Sequence, residues 1–395
     1  MSLKKSIKQL FAEQKYYHSS DTHLLIVILV LIVGGLVFLS SATSVIAYSK
    51  FENAYYYFEH QLLGLVVGLF AFWFFSKIDY HIWKKYAFGF LICSIILLLL
   101  VFVPGLSESH GKARSWINVF GQSLQPSELV KLSLLLYFAA WLEAKKEDLH
   151  KTGKGTGTFV FVMGIVGGLM LLQPDLGTLS IITLTSLIVF FVGGGKIKHI
   201  LVIFLVGAIG LSSLIFFKSY SASKQVNASQ KNYILDRFKC VIDLEKNKDV
   251  CYQINQSLIA VGSGGIFGRG LGDSRQKYMY LPEVSGDSIF AIISEETGLV
   301  FGALLVFAYI FLFYRGFLVA KYAPDNYGRN IAVGISSWIT IQAFINIAGI
   351  INLIPMTGVP LPFVSYGGSS LLTNFIAIGL VISISSRRQK TLFVD

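Results

Sequence analysis

Charge is scarce in this chain. Of 395 residues 14% are Asp, Glu, Lys or Arg, 54% are hydrophobic, and the mean hydropathy is +0.65. Soluble domains carry about a quarter of their residues as charges, so a soluble globular protein is excluded and an integral membrane protein is expected. Cysteine is scarcer still. Cys93 lies in an apolar stretch, where it is expected as a small buried hydrophobe. Cys240 and Cys251 have no histidine or second cysteine pair beside them, which argues against a structural zinc site. A complete G-x-x-x-x-G-K-[ST] element is also missing, since GGGKIK at 193–198 fails at its last position, so nothing points to a nucleotide-driven enzyme. No internal repeat is visible, and no stretch reads as a separate soluble domain.

Long apolar runs are what the chain has instead. A spanning helix needs roughly 20 apolar residues, and about ten are expected, over 24–46, 59–76, 86–104, 127–143, 157–173, 176–194, 199–217, 287–314, 330–352 and 367–385. They are solidly apolar where barrel strands would alternate, so the expected fold class is an all-α integral membrane protein. The expected organisation is a tail at 1–23, seven helices in 24–217, one large extracytoplasmic loop at 218–286, three helices in 287–386 and a tail at 387–395.

Lys and Arg beside the spans set the orientation. With the N-terminus inside, Lys4, Lys5, Lys8, Lys15, Lys77, Lys84, Lys85, Lys145, Lys146, Lys151, Lys154, Lys196, Lys198, Arg315, Lys321, Arg329, Arg387, Arg388 and Lys390 all fall on the cytoplasmic side, 19 of the 33 basic residues. Ten more lie in 218–286, where the rule is weak because long loops translocate largely regardless of charge. A multi-pass protein of the cytoplasmic membrane with both termini cytoplasmic is expected. The first span is too long for a signal-peptide core and others follow it, so it stays in place. The net charge of +11 is dispersed at span ends, which argues against nucleic acid and leaves the outer basic residues for an anionic substrate.

Four stretches can carry chemistry. In LPEVSGDSIFAIISEETG (281–298), Asp287 stands where a polar loop meets an apolar span, and ionisable residues at a membrane boundary are candidates for chemistry or transport. A helix cap and a catalyst fit this position equally well. Glu295 and Glu296 lie about 12 Å deeper by helical rise and read as charges paired inside the bundle. The run GSGGIFGRGLGDSRQK (262–277) offers close backbone approach flanked by Arg269, Arg275 and Lys277, which suits a phosphate or pyrophosphate but also a re-entrant loop with topogenic charges. In 113–138, Glu128 and Lys131 are three apart and can pair on one helix face; alternatively Lys131 meets a substrate anion beside Arg114. Asp175 after Pro174 reads as a cap for the sixth span. Finally NLIPMTGVPLPFVSYGGSSLL (352–372) sets a Pro-rich loop before Ser365 and Ser369, a turn-and-cap solution or an anion nest. Cys240 and Cys251 share the outer, oxidising loop, where a disulfide is compatible with their spacing.

Together and in this order, SWI, QPSELVK, QPDLGT, QSLIAVGSGGIFGRGLG, SRQKYMYLPE, the D-S-IFAIISEE stretch and GVPLPFVSYGGSSLL resemble the SEDS family of shape, elongation, division and sporulation proteins, over about 24–388. The string GLGDSRQKYMYLPE looks closer to the division protein FtsW than to the elongation protein RodA. Two departures stand out: Gly286 occupies the place where the family usually has Thr before its Asp, and Ser115 separates Arg114 from Trp116.

The resemblance implies a peptidoglycan glycosyltransferase that polymerises lipid II into β-1,4 strands at the outer membrane face during division. An elongation polymerase and a lipid II flippase are the alternatives. It implies Asp287 as the essential acidic residue, with functional weight on Glu128 and Lys131; the mechanism makes Asp287 the general base, and Arg114, Arg269, Arg275, Lys277, Ser365 and Ser369, read from their own stretches, join Glu128 and Lys131 as candidate substrate-binding residues. It also implies a class B penicillin-binding protein transpeptidase and other division proteins as partners. A divalent cation, Mg or Mn, is an expected aid to the departing pyrophosphate, with no certain cofactor.

Overall fold

The computed structural model describes residues 20–103, 107–110, 113–119, 122–145, 156–202, 205, 207, 233–244, 247 and 250–387. In chain order its elements are α1 (Thr22–Phe51), α2 (Tyr56–Lys77), α3 (His81–Leu100), β1 (Ser107–His110), β2 (Ala113–Val119), β3 (Gln122–Leu124), α4 (Pro126–Ala144), α5 (Thr156–Leu172), α6 (Leu176–Val192), α7 (Tyr233–Ile242), α8 (Tyr252–Gly264), α9 (Ile289–Lys321), α10 (Asn326–Ile350) and α11 (Gly368–Ser385). Nine of the ten expected spans fall on these helices; most of the one at 199–217 lies outside the described residues. Among the described residues six helices, α1, α2, α3, α9, α10 and α11, are long and apolar enough to cross a membrane, and α5 and α6 are shorter apolar helices. The chain is a multi-pass integral membrane protein.

Burial follows the solvent. A helix apolar all round has no reason to hide one face when lipid surrounds it. Val66, Val67, Phe70 and Trp73 on α2 are accordingly exposed. Cys93, expected to be buried, is exposed on α3 for the same reason. The centre belongs to α10 and α11, most of whose residues are buried. Helices approach through small residues, as membrane helices do: a Cβ at Gly379 would lie 2.9 Å from the Phe72 carbonyl of α2, and a Cβ at Gly35 2.7 Å from the Phe363 carbonyl.

One end of the bundle is tied by charge. Asp21 caps α1 through Leu24 N at 3.0 Å and takes the Arg315 guanidinium at 3.1 and 2.6 Å. Asp325 caps α10 through Gly328 N at 2.8 Å and also binds Tyr80 and His81. Against a desolvation that would raise it, those hydrogen bonds hold its carboxyl down to about 2.

The opposite end carries what the hydropathy pattern did not specify. The strands β1, β2 and β3 pair antiparallel in the order β1-β2-β3, and β3 leads to Pro126 at the first turn of α4. Cys240 and Cys251 are disulfide-bonded, with Cα atoms 5.5 Å apart, joining the end of α7 to the start of α8. In protein taken from its native envelope, both cysteines are expected to resist alkylation under non-reducing conditions and to be recovered as one cross-linked peptide by mass spectrometry; two alkylatable thiols would refute the link. Closing a loop of this size contributes on the order of 2–3 kcal/mol.

Candidate functional site

Asp287 lies just outside α9, which begins at Ile289 after an N-cap at Ser288 that makes no side-chain capping bond. A capping role for Asp287 is therefore not what the geometry provides. Its loop is folded by the Glu283 carbonyl, which accepts from Gly286 N at 3.0 Å and Ser288 N at 3.2 Å, with Glu283 at φ 53°. The Asp287 carboxylate is half-buried; Oδ1 accepts from Gln253 Nε2 of α8 at 3.2 Å and from Ser288 Oγ at 3.4 Å. Asn346 Nδ2 of α10 clamps the backbone, donating to the carbonyls of Asp287 and Val359, each at 2.8 Å. Burial and then the nearby Glu283 charge push the Asp287 carboxyl up to about 7, with Arg237 and the hydrogen bond to Ser288 acting the other way.

The Pro-rich loop forms the neighbouring wall. Tyr366 N donates to the Ser285 carbonyl at 2.8 Å, fastening this loop to the Asp287 turn. Ser365 is buried and its Oγ accepts from Leu361 N at 2.8 Å, while Ser369 Oγ donates to the Ser123 carbonyl and accepts from Gln125 N, each at 3.3 Å. Ser365 thus closes a turn within the loop, while Ser369 ties the start of α11 to the end of β3.

Glu128 and Lys131 are a buried ion pair at 2.8 Å. Lys131 Nζ also donates to Gln342 Oε1 at 2.7 Å and lies 4.8 Å from the Trp338 ring centre. Gln342 Nε2 in turn donates to the Pro360 carbonyl at 2.9 Å, so the pair is wired to the wall beside Asp287. Beside Lys131 a small cavity is lined by Leu134, Ile181, Thr185 and Trp338. Asp175 caps α6 through Thr178 N at 3.0 Å. Arg114 is a β2 position opposite Ser109.

The Gly-rich run does not reach Asp287. α8 and the loop after it lie against the first half of α9, and the anion they enclose belongs to the chain itself. Glu295 accepts from Ser274 Oγ at 2.6 Å, Arg275 N at 3.0 Å and Gln276 N at 3.2 Å, with Arg269 3.8 Å away. Glu296 takes Ser41 Oγ at 2.7 Å and the buried Lys277 at 3.2 Å. The run was expected to turn its cations on a substrate anion; instead Arg269 and Lys277 face these carboxylates, while the Arg275 side chain is exposed. At Gly298 (φ 75°) α9 breaks, freeing backbone groups that the loop takes up: Arg269 N and Gly270 N donate to the carbonyls of Glu295 and Glu296, and Leu299 N and Val300 N to those of Gly265 and Ile266. Within a membrane such breaks persist where protein re-satisfies the freed groups.

Gln253, Asn346 and Arg237 belong to none of the stretches that the sequence marks for chemistry. For Asn346 and Gln342 a signal existed, since amides inside an apolar span seek partners.

The FtsW/RodA/SpoVE family model, described as a cell cycle protein, matches residues 21–390, and the chain belongs to that family. It is 38% identical over 354 residues to stage V sporulation protein E of Bacillus subtilis, covering 89% of this chain and 93% of that protein. It is 36% identical over 358 residues to the probable peptidoglycan glycosyltransferase FtsW of the same organism, covering 89% and 87%. In structure it is similar to the rod shape determining protein RodA of Thermus thermophilus, with TM-score 0.68 at 25% identity over 94% of this chain and 99% of that one. A chain from work on structural coordination of polymerization and crosslinking by a peptidoglycan synthase complex matches with TM-score 0.74 at 24% identity, over 95% and 100%.

Proposed function

We propose that this chain is an inverting peptidoglycan glycosyltransferase that polymerises lipid II, with Asp287 as general base. The observation that carries the reading is a half-buried carboxylate at a helix mouth, bonded by Gln253, on a backbone that Asn346 clamps, and not spent on a cap. Family membership supplies the reaction class, since relatives carry the name probable peptidoglycan glycosyltransferase. The donor's lipid pyrophosphate is a good leaving group, so one base that takes the acceptor 4-hydroxyl proton suffices for a single displacement with inversion. A divalent cation, Mg or Mn, is proposed as an aid to the departing pyrophosphate, since such ions bind through one or two carboxylates together with substrate phosphates.

The test is to supply labelled lipid II to the purified protein, alone and with a cognate class B transpeptidase. Glycan strands are expected; movement of lipid II across proteoliposome membranes without strands would favour a flippase. The partner is proposed because a structural relative comes from a peptidoglycan synthase complex. The string at 270–283, which looks closer to FtsW, and the FtsW relatives favour a division-type role, for which a fluorescent fusion should gather at the septum rather than along the side wall.

Orientation is checked by cysteine labelling. Lys145, beside the charge-tied end of the bundle, is expected inside and Lys246, which falls outside the described residues, outside; the reverse would move Asp287 to the wrong face for lipid II polymerisation. A base near pH 7 also predicts a pH profile. Only the ionised carboxylate accepts a proton, so the rate should fall about tenfold per unit below about pH 7 and level off above it. A rate unchanged between about pH 5.5 and 8 would contradict this.

A further inference from the structure

Arg237 stands on α7, three residues before Cys240. Its Nη2 lies 3.5 Å from the point a Cβ on Gly358 would occupy, and Asp287 Oδ2 lies 3.6 Å from the same point. Guanidinium and carboxylate therefore border the same gap, floored by Gly358. That residue has φ +76°, a conformation that a side chain would strain, so the floor stays bare.

α7 does not owe its place to apolar packing alone, for Phe238 and Ile242 are exposed. Two ties fix its end: the disulfide to Cys251, and Asn352 Nδ2 donating to the Cys240 carbonyl at 3.1 Å. The same disulfide fixes the start of α8, two residues before Gln253, whose amide reaches Asp287 Oδ1. One covalent link thus ties together the helices that carry Arg237 and Gln253.

The charged groups facing Asp287 are Glu283, from its own loop, and Arg237, from α7. α8 presents Gln253 and α10 presents Asn346, neither of which titrates. A carboxylate beside a second carboxylate resists ionisation, and a cation within reach offsets that repulsion. Arg cannot itself lose its proton near neutral pH, which makes it a constant source of field.

We infer that Arg237 is a positioning residue for the reaction: from across the Gly358 gap it holds the Asp287 carboxylate charged and aimed, against the opposing charge of Glu283. This rests on the reading of Asp287 as the base. Burial and Glu283 raise the Asp287 carboxyl while Arg237 opposes them, in keeping with the geometry.

The experiment follows the proton itself. In the full chain reconstituted in lipid nanodiscs, the infrared band of the protonated Asp287 carboxyl is assigned by its loss in Asp287→Asn and titrated in wild type, Arg237→Gln and Arg237→Lys. The wild-type midpoint is expected near about 7, as the environment of Asp287 sets it. It should rise by roughly one unit in Arg237→Gln and stay in place in Arg237→Lys, since an opposite charge nearby favours the ionised form. The acid limb of the polymerisation rate should move with it while lipid II binding is retained. Arg237→Met serves where the Gln variant does not fold. A midpoint unmoved by loss of the charge would overturn the inference. Should Asp287→Asn polymerise at the wild-type rate while the midpoint still moves, the base assignment fails and the coupling of Arg237 to Asp287 stands.

Discussion

Asp287→Asn is expected to fold, to bind lipid II and to polymerise it roughly 10²- to 10⁴-fold more slowly than wild type, the usual contribution of a positioned general base. Asn keeps the size of the side chain and an oxygen to accept from Gln253, so the loop geometry should survive. What it loses is the capacity to take a proton. Had Asp287 been a cap, the change would cost at most about 1 kcal/mol of stability and little activity. Strand synthesis by the purified variant, with lipid II binding measured alongside, separates the two. Near wild-type polymerisation would remove Asp287 from its role and make Glu283 the next carboxylate to change, since it shares the same turn.

Lys131→Met is expected to destabilise the bundle more than any loss of a cap or a surface pair. It leaves Glu128 buried without its counter-ion, and breaking such a pair typically costs about 3–5 kcal/mol. The loss should be read as a lower unfolding temperature in detergent or as failure to recover monodisperse protein. The double variant Glu128→Gln with Lys131→Met removes both charges and should regain most of the stability. It is not expected to regain the rate, because Lys131 also orients Gln342, which carries the Pro360 carbonyl beside the Gly358 gap. A double variant restored in both would make the pair a packing device and nothing more.

The membrane helices were legible because one property, apolarity over about 20 residues, decides them. α4 was legible even though it holds Glu128 and Lys131, since a pair three apart on one face neutralises itself. Asp287 was legible as a site, but whether it capped α9 was not: that depended on Ser288 standing at the N-cap without a side-chain bond and on the turn through Glu283. For a related reason the partner of the Gly-rich run was hidden. Its cradle and cations were visible, but their anion, Glu295, stands about 20 residues further on, across the whole Asp287 turn, and periodicity does not encode such pairings. The break at Gly298 escaped because no proline announces it. The strands β1, β2 and β3 were not legible because three short strands over mixed polar sequence give little alternation to read. Arg237 and Gly358 meet at Asp287 only through the folded chain; Gly358 lies in the Pro-rich stretch already singled out, but no local pattern marks Arg237.

The break at Gly298 also bears on how this protein can be recombined with its relatives. Because the loop after α8 supplies the backbone partners of the broken helix and encloses Glu295, residues 251–298 behave as one inheritable block. A chimera that exchanges the large loop at the apparent membrane boundary, near 286, would separate a carboxylate from the groups that receive it. Grafts joined before Tyr233 and after Val300 keep donor and acceptor together and leave the Cys240–Cys251 disulfide whole.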